Sequence, residues 1–220
     1  MTDLLFISMK NGVTITKPFP FFVHKRHSRY KEDVYDRIWI CDQRLYKNNS
    51  WYPFGLDESI NMDTATNSDA YKLPAKVLRN AAQSKNVSRP LGFIYQYTYT
   101  PPLDFTYDYY VYFHFNEIEK LPNGKKRKIN ITVNYRPVLS QPLVLDYLKP
   151  VTLNFKTQGN VWFNISATSD SDAPPILNAF EIYKLMTQLD SPTYDQDGTY
   201  NTYIIYYTYR ISNYNGMYNI

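Results

Sequence analysis

Glu117 and Glu119 close the run Tyr109-Tyr-Val-Tyr-Phe-His-Phe-Asn-Glu-Ile-Glu119 and are the first residues to invite a chemical reading. Two carboxylates hydrolyse a glycoside when they flank the scissile bond from opposed elements. Here both acids stand at a strand end, at i and i+2 on the same side, with no second acid on an opposing element. The pair reads as structural. Among the histidines, His24 and His27 lie in a basic stretch that follows Pro18 and Pro20, and His114 alternates with core positions as a hydrogen-bonded sheet histidine does. No Ser/His/Asp set, phosphate-binding loop or zinc motif is present. Cys41 is the one cysteine, so an intrachain disulfide is excluded and a thiolate metal site lacks ligands. Beside a predicted strand, Cys41 reads as a small buried hydrophobe. The sequence predicts no catalytic residue, no metal site and no cofactor. In Asp36-Arg37-Ile-Trp39 the indole is large enough to anchor a core edge. The guanidinium can grip a carboxylate bidentately, with Asp33, Asp36 or Glu117 as partners.

These residues need elements to hold them, and the elements read as strands. Tyr109, Val111, Phe113 and Phe115 share one face, and Tyr110, Tyr112, His114 and Asn116 share the other. Period two with aromatic and β-branched residues is the strand signature. Because the second face also opens with aromatics, the strand is expected to be covered on both sides, as an inner strand of a sandwich. Further strand candidates follow at Lys128–Asn134, Val151–Phe155, Val161–Ala167 and Ile176–Lys184, separated by Gly, Asn, Asp and Pro. Pro90–Tyr99 alternates as well. Residues 41–75 read as long polar loops with one short strand at most, and Pro74–Ala82 as a strand or a helical turn, with propensity favouring helix.

Composition agrees. Hydrophobic residues make up 44% of 220, enough for a real core, while 14 prolines and 23 tyrosines favour short strands and turns over helices. The fold class expected is all-β. The net charge is only +4. The basic run Gly124-Lys-Lys-Arg-Lys128 lies between two strand candidates and reads as a hairpin loop. It has no RNA-binding aromatic motif beside it, so nucleic acid is not an expected partner. No apolar run approaches the roughly 20 residues of a spanning helix, and the N-terminus does not read as a signal peptide.

Five segments, in order, resemble the malectin-like domain of plant leucine-rich repeat receptor-like kinases. Asp33-Val-Tyr-Asp-Arg-Ile-Trp39 resembles the family's DxxDRxW motif. Val77-Leu-Arg-Asn-Ala-Ala82 resembles VLxTAA, and the Tyr109–Glu119 run resembles YYVYxHFAEIE, with Asn116 where Ala is usual. Lys128-Ile-Asn-Ile-Thr132 resembles REFNI, with Lys128 for the usual Glu. Pro174-Pro-Ile-Leu-Asn-Ala-Phe-Glu-Ile-Tyr183 resembles PPxLNAxEIY. The resemblance implies a jelly-roll-type β-sandwich, galactose-binding-like, over residues 29–185. Residues 1–28 are then a remnant of a preceding lobe and residues 186–220 a linker and Tyr-rich tail. The chain as a whole would be a truncated receptor ectodomain, chiefly its second lobe.

The same resemblance implies a non-enzymatic binding domain on the extracellular side of the plasma membrane. Its partner would be a cell-wall or glycoprotein glycan, or alternatively a protein or peptide ligand or co-receptor, without sugar binding. For a glycan, the candidate ring platforms are the loop aromatics Trp51, Tyr52, Tyr97 and Tyr99. Asp36, Arg37, Trp39, Glu117, Glu119, Asn178 and Glu181 are family-motif positions with a structural reading. N-glycosylation sequons stand at Asn48, Asn86, Asn130 and Asn164, compatible with an extracellular origin.

Overall fold

The computed structural model describes residues 6–11, 26–41, 51–95, 108–122 and 124–184. His24, Tyr97, Tyr99, Asn48, the fragment at Val13–Ile15 and the Tyr-rich tail all lie outside them. In chain order the strands are β1 (Phe6–Asn11), β2 (Arg26–Arg29), β3 (Ile38–Cys41), β4 (Trp51–Gly55), β5 (Asn80–Ser84), β6 (Leu91–Tyr95), β7 (Asp108–Phe115), β8 (Arg127–Val133), β9 (Arg136–Pro137), β10 (Leu143–Leu145), β11 (Val151–Gln158), β12 (Val161–Ala167), β13 (Ile176–Leu177) and β14 (Ala179–Lys184). Two short helical turns, Asp63–Ser68 and Ala75–Leu78, separate β4 from β5.

The strands form an all-β sandwich, as expected. One sheet runs β11-β7-β14-β1-β3-β2, the facing sheet runs β10-β8-β12-β6 with β9 added to β8, and a small sheet runs β13-β5-β4. Alternation explains the core. Val111, Phe113 and Phe115 of β7 with Phe180 and Ile182 of β14 meet Leu91 and Phe93 of β6, Ile129, Ile131 and Val133 of β8, and Val161, Phe163 and Ile165 of β12. The aromatic rings interlock. Phe163 lies edge-on to Phe113 at 4.9 Å and to Phe180 at 5.0 Å, and Phe93 sits 4.6 Å from Phe180.

β7 is an inner strand covered on both faces. It pairs with β11 on one side and β14 on the other. Its outer face is roofed by a second cluster built from Trp39, Met62, Ala65, Leu73, Val77, Leu78 and Ala179, much of it carried on the two helical turns. The segment from Pro74 to Ala82 is both of the expected things in succession, a helical turn at Ala75–Leu78 and then β5. Residues 41–75 hold the one short strand allowed there, β4, and beyond that reading the helical turn Asp63–Ser68. The small side chains of Asp63, Thr64, Ala65 and Thr66 carry no strong periodic signal, so the first helical turn was not legible.

β1 inserts in parallel beside β14, with Phe6 opposite Ala179 and Asn11 opposite Lys184, and β3 closes on its other side in antiparallel pairing. Pro174-Pro175 leads into β13, which pairs with β5, and the chain then crosses at Asn178 into β14 of the large sheet. One segment thereby belongs to two sheets.

Candidate functional site

Arg37 organises the covered outer face of the large sheet. A left-handed residue at Asp36 (φ 52°) tightens the turn before β3 and turns Arg37 inward, where it is 2% exposed. Its Nε donates to both Asp33 carboxylate oxygens at 2.9 and 3.0 Å, Nη1 to Glu181 Oε1 at 3.2 Å, and Nη2 to the carbonyls of Tyr71 and Lys72. The indole of Trp39 donates to Asp33 Oδ2 at 2.8 Å and lies 4.9 Å from the guanidinium carbon. Asp33 is thus the expected partner that is realised. Asp36 is exposed, and Glu117 is engaged with Arg127 instead.

Glu181 extends this network to β7 and β11. His114 Nε2 lies 2.9 Å from Glu181 Oε1 and His114 Nδ1 lies 2.8 Å from Thr152 Oγ1, while the Tyr183 hydroxyl donates to Glu181 Oε2. Burial works against the charge on Glu181, but the His114 and Tyr183 hydrogen bonds and the Arg37 charge outweigh it and hold the carboxyl below the usual glutamate range. Burial, then the Glu181 charge, pushes the Tyr183 hydroxyl up. For Arg37, burial disfavours the cation, yet Asp33 and Glu181 more than compensate and it stays charged.

The two acids that suggested glycoside chemistry grip one cation. Arg127 opens β8 with its side chain fully buried and donates from Nε to Glu117 at 2.7 Å, from Nη2 to Glu119 at 2.8 Å, and from Nη1 to the Pro174 carbonyl. Glu117 also accepts from the Glu119 backbone amide at 2.9 Å. Burial pushes the Glu117 carboxyl up against the pull of Arg127. Carboxylates committed to a guanidinium on the same side have no scissile bond between them. Arg127 was hidden in the sequence inside a basic run read as a loop. Its signal was the alternation Arg127, Ile129, Ile131, Val133, which puts it on the inward face. Its neighbours Lys126 and Lys128 pair with Asp146 and Asp170.

Asn178 fastens the crossover. Its Oδ1 accepts from the Asn116 amide at 2.7 Å, and its Nδ2 donates to the carbonyls of Leu78 and Asn80 at 3.1 and 2.9 Å. Asn116 also donates to Leu78, but its own Oδ1 has no hydrogen-bond partner.

Of the aromatic candidates, Trp51 and Tyr52 lie among the described residues. Trp51 is on β4, not in a loop, and is 6% exposed within the main core. Tyr52 is half-buried, its hydroxyl pushed up by burial and by Glu119. An aromatic pair reaches the surface elsewhere: Tyr135, exposed, and Trp162, half-buried, with ring centroids 4.5 Å apart. Of the sequons, Asn86 lies exposed in a turn, where its Oδ1 accepts from Ser88 Oγ at 2.9 Å; Asn130 is exposed on β8 and Asn164 half-buried on β12. Among the described residues no group of three or more His, Cys, Asp or Glu is placed to hold a metal, and no helix is long and apolar enough to cross a membrane.

A family profile for the malectin-like domain matches residues 19–185. A leucine-rich repeat receptor-like protein kinase of Arabidopsis thaliana, At2g19210, is 32% identical over 173 residues, which is 77% of this chain and 18% of that protein. A second Arabidopsis receptor-like kinase, At5g59680, is 30% identical over 190 residues, covering 84% of this chain and 20% of its own length. The chain therefore spans about a fifth of the length of the curated relatives it matches. Among solved structures, the ANX2 ectodomain from Arabidopsis thaliana superposes with a TM-score of 0.59 at 16% identity, over 74% of this chain and 48% of that one. A structure of the plant peptide RALF23 in complex with FER and LLG2 gives 0.56 at 16% identity, over 84% and 49%. At such identities the superpositions speak for the fold alone. The profile match runs through Arg37, Trp39, Glu117, Glu119, Asn178 and Glu181, the residues that knit the sheets together, and the chain belongs to the malectin-like domain family.

Proposed function

We propose that the chain is a non-enzymatic binding domain of receptor-ectodomain type, displayed outside the cell, whose ligand is a protein or peptide. The observation that carries this reading is the commitment of the buried acids. Asp33, Glu117 and Glu181 each face a guanidinium, inside two networks that join elements. Such groups position a scaffold and leave recognition to surfaces and loops. Membership of a family represented in receptor-like kinases supports the ectodomain assignment. The structural neighbour solved with the peptide RALF23 and with LLG2 supports a peptide or co-receptor ligand for this chain. The glycan alternative draws less support, because Trp51, the largest of its ring candidates, packs in the core.

Biolayer interferometry of the secreted chain tests the reading, with synthetic RALF23 peptide and purified LLG2 as probes and a cell-wall glycan array in parallel. Saturable binding to the peptide or LLG2 with a silent array is the expected outcome. Array binding without either protein ligand would overturn it in favour of the glycan alternative, and turnover of an array glycan would overturn its non-enzymatic part. Trp51→Ala is a poor probe of sugar binding here, since truncating a core indole costs about 3–5 kcal/mol of stability by itself.

A further inference from the structure

We infer that Asn164 is an N-glycosylation site whose glycan is held against the surface by Trp162 and Tyr135. Along β12 the inward residues are Val161, Phe163 and Ile165, so Trp162, Asn164 and Ser166 share the outward face. Side chains two apart on a strand stand roughly 6.5–7 Å from each other. A sugar on Asn164 therefore reaches the Trp162 ring without any change in the backbone.

Three further observations shape the surface. Asn164 is opposite Gly92 on β6 and Thr132 on β8. Gly92 is exposed, and a Cβ built there would meet Asn164 Oδ1 at 3.8 Å, so the carboxamide leans over a position that carries no side chain. The β8–β9 hairpin ends in Asn134-Tyr135, both left-handed (φ 47° and 64°). A two-residue turn of this kind prefers Gly at its second position, and an aromatic residue there is strained. Tyr135 nevertheless occupies it at 80% exposure, with its ring against Trp162. The turn holds an aromatic platform open beside an asparagine whose carboxamide makes no hydrogen bond with the described residues.

The covalent step is ordinary group transfer. The donor is a lipid-pyrophosphate-linked oligosaccharide. The Asn164 Nδ2–C1 bond forms as the C1–O bond to the pyrophosphate breaks. The electron pair leaves on the phosphate oxygen and one amide proton is released. Ser166 supplies the hydroxyl that the sequon requires. The first N-acetylglucosamine then lays its apolar face on Trp162, flanked by Tyr135. The inference depends on the extracellular reading only for contact with the transfer machinery, and an appended signal peptide supplies that contact independently.

The full chain, secreted behind such a signal from kifunensine-treated cells, tests this. Glycopeptide mass spectrometry is expected to find Asn164 occupied, and NMR to find the acetyl methyl of its first sugar shifted upfield by the indole ring current. Trimming with endoglycosidase H to a single sugar should leave Tm unchanged, whereas Ser166→Ala, which keeps Asn164 but loses the glycan, should lower Tm by about 2–4 °C. In a Tyr135→Ala or Trp162→Ala background that difference should shrink. An unmodified Asn164 overturns the inference, whether or not Asn86 is modified. So does an occupied Asn164 whose acetyl methyl shows no upfield shift, a result that wild-type protein alone provides should the Trp162 variant fail to fold.

Discussion

Glu181 is met by an imidazole, a guanidinium and a phenol, and this makes its ionisation a measure of folding. Its folded carboxyl lies below the value near 4.3 of an unfolded glutamate. The stability it contributes is complete above that unfolded value and is lost as pH falls through the folded one. Urea midpoints followed from pH 7 to pH 3 should fall less steeply in Glu181→Gln than in the wild type. The alkaline limb belongs to Tyr183, whose hydroxyl is pushed up. An unfolded tyrosine ionises near pH 10 while the folded one does not, so stability declines above about pH 10, and Tyr183→Phe should remove part of that decline. Arg37→Ala strands Asp33 and Glu181 as unpaired buried carboxylates and is expected to cost about 3–5 kcal/mol in equilibrium urea unfolding. Arg37→Lys should recover only part, because an ammonium cannot reproduce the guanidinium fork.

At the scale of elements, β8 carries a clasp at each end. Arg127 at its start reaches Glu117 beyond β7, and Asn134 beyond its end donates to Thr157 Oγ1 and the Asn160 carbonyl, both at 2.8 Å, and accepts from the Trp162 amide at 2.9 Å. Asn134→Gly keeps the left-handed turn and loses only the hydrogen bonds, whereas Asn134→Ala adds a backbone penalty of about 1 kcal/mol. Comparing the two variants in denaturant separates fastening from conformation. The crossover offers a similar contrast. Asn178→Ala orphans the Asn116 amide and takes a donor from the Asn80 and Leu78 carbonyls, of which Leu78 keeps Asn116, and should cost about 2–3 kcal/mol. Asn116→Ala removes an unpartnered oxygen along with one bond, and Leu78 keeps its second donor, so its change should stay under about 1 kcal/mol.

These elements show why legibility was uneven. β7, β8, β11 and β12 alternate strongly, and their faces could be read directly from period two. The motif at Asp33–Trp39 announced a buried arginine, but its long-range partner Glu181 lies 144 residues away, and nothing local encodes that distance. Arg127 was masked by three neighbouring cations, Lys125, Lys126 and Lys128, whose side chains face water. Tyr135 and Trp162 were missed because one sits in a turn and the other alternates with core residues as an ordinary outward strand position. Only the hairpin geometry brings them together.

For the whole molecule, the double cover over β7 ranks local stability. Flanked by β11 and β14 and buried on both faces toward its end, β7 should show the slowest amide exchange, and the strand β2, which pairs only with β3 among the described residues, a much faster one. Hydrogen-exchange mass spectrometry checks the order. The parallel seat of β1 between β14 and β3 has a consequence for how such a chain is made. About 170 residues must leave the ribosome after β1 before β14 does, which at 5–20 residues per second takes on the order of ten to thirty seconds. Through that interval the nascent strand can pair with β3 on one side, while the edge that β14 will cover stays open. Part of the chain's dependence on chaperones in the compartment where it is synthesised should therefore trace to β1, and a version permuted to place β1 after β14 should need them less.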